Sequence, residues 1–143
     1  MKKVKVKYYS MYDRSECPWW EDVPTEEEAD VLVFTDVKCY EVVNTRTNKK
    51  KIAYLIEPRC FDGFRQQYEF VEKNWNLYDL ILTHDSILLK RCPNAKLMYW
   101  GSVWDYNDIP KTKMISMLCS NKDWCELHHK RIEVANAIKN SPL

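Results

Sequence analysis

At 143 residues the chain is long enough for one domain with its own core and short for two. Its 22 basic and 21 acidic residues leave a net charge of +1, without the basic excess of nucleic-acid binders, so no nucleic acid is expected as a partner. No apolar run approaches the ~20 residues that cross a bilayer, and with only two glycines, Gly63 and Gly101, the chain has no Gly-rich phosphate loop.

The N-terminus, "MKKVKVKYY", alternates charged and apolar residues with period two, which predicts a strand over 3–9. It lacks the apolar core of a signal peptide. The expected location is therefore cytoplasmic, with a peripheral position at the inner membrane face as the other option. Six cysteines stand singly, without a CxxC pair, and read as free thiols. A polar loop with Pro18 and Pro24 follows, and Pro24 ahead of Thr25-Glu26-Glu27-Glu28 is a signal for a short helix start. "VLVFTDV" (31–37) is an unbroken apolar run of strand length, the pattern of a strand covered on both faces.

Lys49-Lys50-Lys51 reads as a solvated turn leading into a strand over 51–57, which ends at Pro58. Residues 65–75 place Tyr68, Val71 and Trp75 at helical spacing, with Trp75 expected in the core. Further strands are predicted at 78–85, 95–101 and 113–120, with a short apolar segment, "SILLKR", after the first of these. A helix is predicted over 125–140. Buried strands separated by helical or loop segments predict an α/β protein, a Rossmann-like, mostly parallel sheet flanked by helices. Ligands in such sheets gather at the carboxyl ends of the strands. Here those ends carry Thr35-Asp36, Glu57-Pro58-Arg59, Thr83-His84-Asp85, Gly101 and Ser120-Asn121.

The stretch "MLCSNKDWCELHHKR" (117–131) admits three readings. Cys119, Cys125, His128 and His129 could ligate zinc, but their C-x5-C-x2-H-H spacing lacks the paired ligands of structural zinc sites. Adjacent helical histidines also diverge by about 100°, so no metal is expected. Cys125 at a helix start, with His128 three residues on, could form a thiol site. Its bland counterpart is a half-exposed cysteine at a helix terminus. In the third reading, a strand, a short loop and a helix N-terminus present backbone N–H groups to an anion. Leu127, Val134, Ala135 and Ile138 would form the buried stripe of that helix, interrupted by Arg131. With Ser120, Asn121 and Lys122, Arg131 would complete a phosphate cradle without glycine; otherwise it snorkels to solvent.

Residues 111–140, "KTKMISMLCSNKDWCELHHKRIEVANAIKN", resemble the opening of the donor-binding domain of family 10 glycosyltransferases, the α-1,3/1,4-fucosyltransferases. The matching positions are Lys111-Thr112-Lys113, Ser120-Asn121-Lys122, His128 and Arg131, with Leu127 where the family often has glycine. Upstream, "AYLIEP" with Glu57, "NLYDLILTHD" and "CPNAKLMYWGSVW" follow the family pattern more loosely, and the resemblance spans roughly residues 50–140.

The resemblance implies two Rossmann-like domains of GT-B type with the active site between them. It implies inverting transfer of fucose from GDP-fucose to a glycan acceptor hydroxyl. Glu57 matches the general base, although Pro58 follows it where the best-known members have asparagine. Arg131 matches the arginine on the donor pyrophosphate, a task suited to a guanidinium, and Ser120, Asn121 and Lys122 are the other donor-binding candidates. No metal and no cofactor other than the sugar-nucleotide donor is implied. Trp19, Trp20 and Trp104 are candidates for the acceptor sugar, since tryptophan joins an apolar face to an N–H handle.

On this pattern residues 1–110 are expected to form the acceptor-side domain, and 111–143 the first strand–helix unit of an incomplete donor domain. Such a truncated form is expected to be inactive alone. Its orphan unit would pack on the N-terminal domain or on a second copy, making a homo-oligomer through 111–143. The reading from another class is a non-catalytic α/β binding or regulatory module with free thiols.

Overall fold

The computed structural model describes residues 3–11, 20–60, 63–98, 120–123 and 125–141. The chain divides into two units, Met1–Trp100 and Gly101–Leu143, each taken by itself below. In the first, six strands form one sheet: β1 (Val4–Tyr9), β2 (Trp20–Asp22), β3 (Val31–Thr35), β4 (Lys50–Tyr54), β5 (Leu80–Thr83) and β6 (Ala95–Leu97). Their order is β2-β1-β3-β4-β5-β6, and every pairing is parallel. Helices α1 (Arg65–Lys73) and α2 (Ser86–Arg91) and a 3-10 helix, Asp36–Asn44, connect the later strands. This is the α/β, Rossmann-like architecture expected of buried strands alternating with helical segments.

From β3 to β6 the chain always steps in the same direction across the sheet. Right-handed crossovers therefore place the 3-10 helix, α1 and α2 on one face. Under them lie Leu32 and Phe34 of β3, Ala53 of β4, Leu55 and Ile81, all fully buried against Tyr68, Val71, Cys39, Val42 and Leu88. Burying each of the large side chains contributes about 1.5–3 kcal/mol. The Phe34 ring stacks on Tyr9 with centroids 4.6 Å apart and meets Tyr78 edge-on at 6.4 Å. The alternate residues, Val4, Tyr8, Val33, Ile52, Tyr54 and Leu82, line an apolar groove of about 330 Å³ on the other face.

Several elements depart from the sequence expectation. Trp20–Asp22 was expected as loop and is edge strand β2, formed by backbone pairing to Val4–Val6 rather than by any apolar pattern of its own. The helix signalled at Pro24-Thr25 is one turn. Thr25 Oγ1 accepts the Glu28 N–H and its hydroxyl donates to Glu28 Oε1, but Asp30 N–H already donates to Lys5 O at 2.8 Å and returns the chain to the sheet. The run 31–37 ends as a strand at Thr35, because Asp36 takes a positive φ of 44° and turns the backbone. "SILLKR" is helix α2, capped by Asp85, whose Oδ1 accepts the N–H groups of Ile87 and Leu88. Trp75, expected in the core, is exposed: α1 stops at Lys73, so Trp75 lies off its buried stripe and opens a separate 3-10 turn, Trp75–Leu77.

In the second unit the described element is helix α3 (Glu126–Lys139), preceded by 120–123 and Cys125. The strand expected at 113–120 lies outside the described residues except for Ser120. Leu127 and Val134, expected in the buried stripe, are 71% and 51% exposed. The half-buried face carries His128, Arg131, Ile132, Ala135 and Ile138 instead. Among the described residues no helix is long and apolar enough to cross a membrane.

Candidate functional site

The carboxyl ends of β3, β4 and β5 converge on the loop 55–59. Leu55 still belongs to the sheet, its N–H donating to Leu82 O at 2.9 Å. Beyond it the ladder stops, and the next two backbone donors turn to a side chain. The N–H groups of Ile56 and Glu57 both reach Asp36 Oδ1, at 2.9 and 3.1 Å. On the other side of the same residue, the Tyr68 hydroxyl of α1 donates to Glu57 O. Arg59 then lies over the Tyr68 ring, 4.9 Å from its centroid, and forms a two-point pair with Asp85. Glu57, half-buried, is thus carried by a loop anchored to β3, to α1 and to the start of α2.

The electrostatics follow from these contacts. Burial pushes the Asp36 carboxyl up, against the two N–H bonds from Ile56 and Glu57 and the nearby His84; the Glu57 charge pushes it further up. Its second oxygen, Oδ2, is buried with no hydrogen-bond partner among the described residues. Burial works on Asp85 in the same sense, but pairing with Arg59 and the N–H bonds of Leu88 and Ile87 outweigh it and hold the carboxyl below its ordinary value. Burial raises the Tyr68 hydroxyl, and the Asp36 and Asp85 charges add to that.

The second unit joins two of the candidates. Arg131 Nη2 donates to Ser120 Oγ at 3.2 Å, reaching from α3 back past the helix start. Arg131 Nε is buried with no hydrogen-bond partner among the described residues. Asn121 and Lys122 follow Ser120 on the exposed stretch that leads to Cys125, the N-cap of α3. The His129 ring is engaged by Asp123 O at 2.6 Å, which folds this stretch onto the helix.

Trp20 sits at the start of β2, opposite the start of β1, and is 37% exposed. In a parallel sheet that is the amino-terminal edge, whereas Glu57 lies beyond the carboxyl end of β4. The length of β4, roughly 15 Å at ~3.3 Å per residue, separates the two. The structure does not bring Trp20 to Glu57. Trp19 and Trp104 lie outside the described residues. Cys125 is half-buried, and its carbonyl accepts the N–H groups of His128 and His129 at 2.9 and 3.2 Å. Cys119 is outside the described residues, and among the described ones no group of three metal-ligating side chains could hold an ion.

Tyr68 escaped sequence reasoning, being visible only as a position of the helical stripe in 65–75; Asp36 is legible among the polar strand ends, but its bonds to Ile56 and Glu57 are not. No protein-family model, curated protein or solved structure matches the chain.

Proposed function

We propose that this chain carries the acceptor-side Rossmann-like domain and the opening segment of the donor side of an inverting glycosyltransferase, of the α-1,3/1,4-fucosyltransferase type. Glu57 is the general base. It takes the proton of a glycan hydroxyl as that oxygen bonds to the anomeric carbon of fucose, while the bond from that carbon to the GDP phosphate oxygen breaks. Ser120, Asn121, Lys122 and Arg131 hold the diphosphate. A cytoplasmic location and association of two copies through the C-terminal unit belong to the same reading.

The observation that carries the proposal is the pairing of Arg131 with Ser120, beside an Arg131 Nε that has no hydrogen-bond partner among the described residues. A guanidinium next to a hydroxyl and a helix start can receive phosphate oxygens. The loop 55–59 adds a carboxylate at the sheet's carboxyl edge, where ligands of such folds bind.

Calorimetric titration of the purified chain with GDP-fucose, GDP and guanosine tests it. GDP and GDP-fucose are expected to bind and guanosine not. Arg131→Ala is expected to weaken GDP binding about 10–100-fold, the range for a lost hydrogen bond to a charged group. Binding of none of the three, or equal binding by Arg131→Ala, would leave the non-catalytic module as the better reading. Transfer needs an enclosed, water-poor donor site, and the purified chain alone is expected to give no fucosylated product. Fucosylated product from the chain alone would contradict this assignment of roles.

A further inference from the structure

We propose that Asp36 is the positioning residue of Glu57, fixing through the Ile56–Glu57 backbone the direction in which the carboxylate is presented. The proposal rests on Glu57 being the functional carboxylate of the loop. Asp36 itself is 1% exposed and cannot touch a substrate, so it acts through its neighbour.

Three unfavourable features meet at this one residue. Its φ of 44° is the left-handed conformation that side chains other than Gly, Asn and Asp rarely adopt. Its carboxyl is buried. One of its oxygens has no hydrogen-bond partner among the described residues. What the arrangement achieves is the hold of Oδ1 on two consecutive backbone donors, those of Ile56 and Glu57. A chain that only had to turn after β3 could do so with glycine and no buried carboxyl. Backbone strain retained at the carboxyl edge of a parallel sheet is characteristic of sites that must be held in one geometry.

The remaining contacts act in the same sense. The Tyr68 hydroxyl takes the Glu57 carbonyl, so the residue is gripped by both of its backbone polar groups. Pro58 restricts Glu57 to extended backbone conformations. Arg59, clamped to Asp85 and lying over Tyr68, closes the loop on its far side. A functional carboxylate held by a supporting layer of this kind keeps one orientation.

The test uses NMR of the full isotope-labelled chain. In the wild type, through-hydrogen-bond coupling is expected between the Ile56 and Glu57 amide nitrogens and the Asp36 carboxyl carbon, together with a single Glu57 χ1 rotamer. Asp36→Asn retains an acceptor and tolerates positive φ, and should keep one rotamer. Asp36→Gly keeps the turn and loses the acceptor. It should leave β3–β5 amides protected, exchange the Ile56 and Glu57 amides at least tenfold faster, and average the Glu57 χ1 couplings. A Glu57 rotamer unchanged in Asp36→Gly overturns the proposal. So does the absence of both couplings in the wild type, a result that does not depend on any variant folding. A positioned Glu57 in a chain that binds neither GDP nor GDP-fucose would instead overturn the functional reading and leave the positioning intact.

Discussion

Arg59 and Asp85 are joined at two points, Nε to Oδ2 at 2.8 Å and Nη2 to Oδ1 at 3.0 Å. The same Asp85 Oδ1 caps α2, and the same guanidinium lies over Tyr68. One carboxylate therefore ties the loop after β4 to the helix after β5. Asp85→Ala removes the cap, worth about 1 kcal/mol, and leaves a largely buried arginine short of its partner. The total loss is expected at about 2–4 kcal/mol by denaturant unfolding. Asp85→Asn, which can still cap, should lose less; equal losses would show that the cap contributes nothing.

Acid should release this hold. The Asp85 carboxyl is held below its ordinary value in the folded chain, so the stability it contributes is complete above the unfolded carboxylate pKa of about 3.9. That stability is lost as pH falls through the lower, folded value. Asp36 runs the other way, its folded value being raised. Its contribution is complete below the unfolded pKa and declines as pH rises through the folded one. Relative to wild type, Asp36→Asn should therefore be more stable at pH 7 than at pH 3.5. Parallel stability–pH curves for the two proteins would contradict the sign.

In the core, the Tyr78 hydroxyl donates to Cys39 O at 2.8 Å, between two buried residues. Tyr78→Phe removes that bond from the core and should cost about 1 kcal/mol. Phe34→Ala removes the ring packed between Tyr9 and Tyr78 and should cost about 3–5 kcal/mol. If thermal melting ranks Tyr78→Phe as the more damaging, the core is not organised around Phe34.

On α3, Leu127 and Val134 stand seven residues apart on one stripe and are both exposed. Light scattering should show self-association of the chain, reduced by the double change Leu127→Lys and Val134→Lys. A monomer at all concentrations tested would remove the C-terminal unit as an oligomer contact.

The strands legible in the sequence were those with a pattern of their own: the alternation of "KVKVKYY" and the apolar runs around Leu32–Phe34 and Leu80–Leu82. β2 was not, because Trp20–Asp22 becomes a strand only through the free backbone edge of β1. Nor was the reach of Asp36. Its positive φ and its bonds to Ile56 and Glu57 come from bringing β3 beside β4, twenty residues on, and no local spacing encodes them. Ser120 and Arg131 are grouped in the sequence by residue type, and the structure joins them by one hydrogen bond. The burial register of α3 does not follow apolar character alone, since Leu127 and Val134 face solvent while Arg131 is half-buried.

The most direct test of the transferase reading is the Arg131 side-chain Nε–Hε resonance, followed during titration of the chain with GDP. The account predicts a saturable shift of that resonance with GDP, no shift with guanosine, and a weaker response in Ser120→Ala. An Arg131 resonance that stays in place as GDP is added would contradict it.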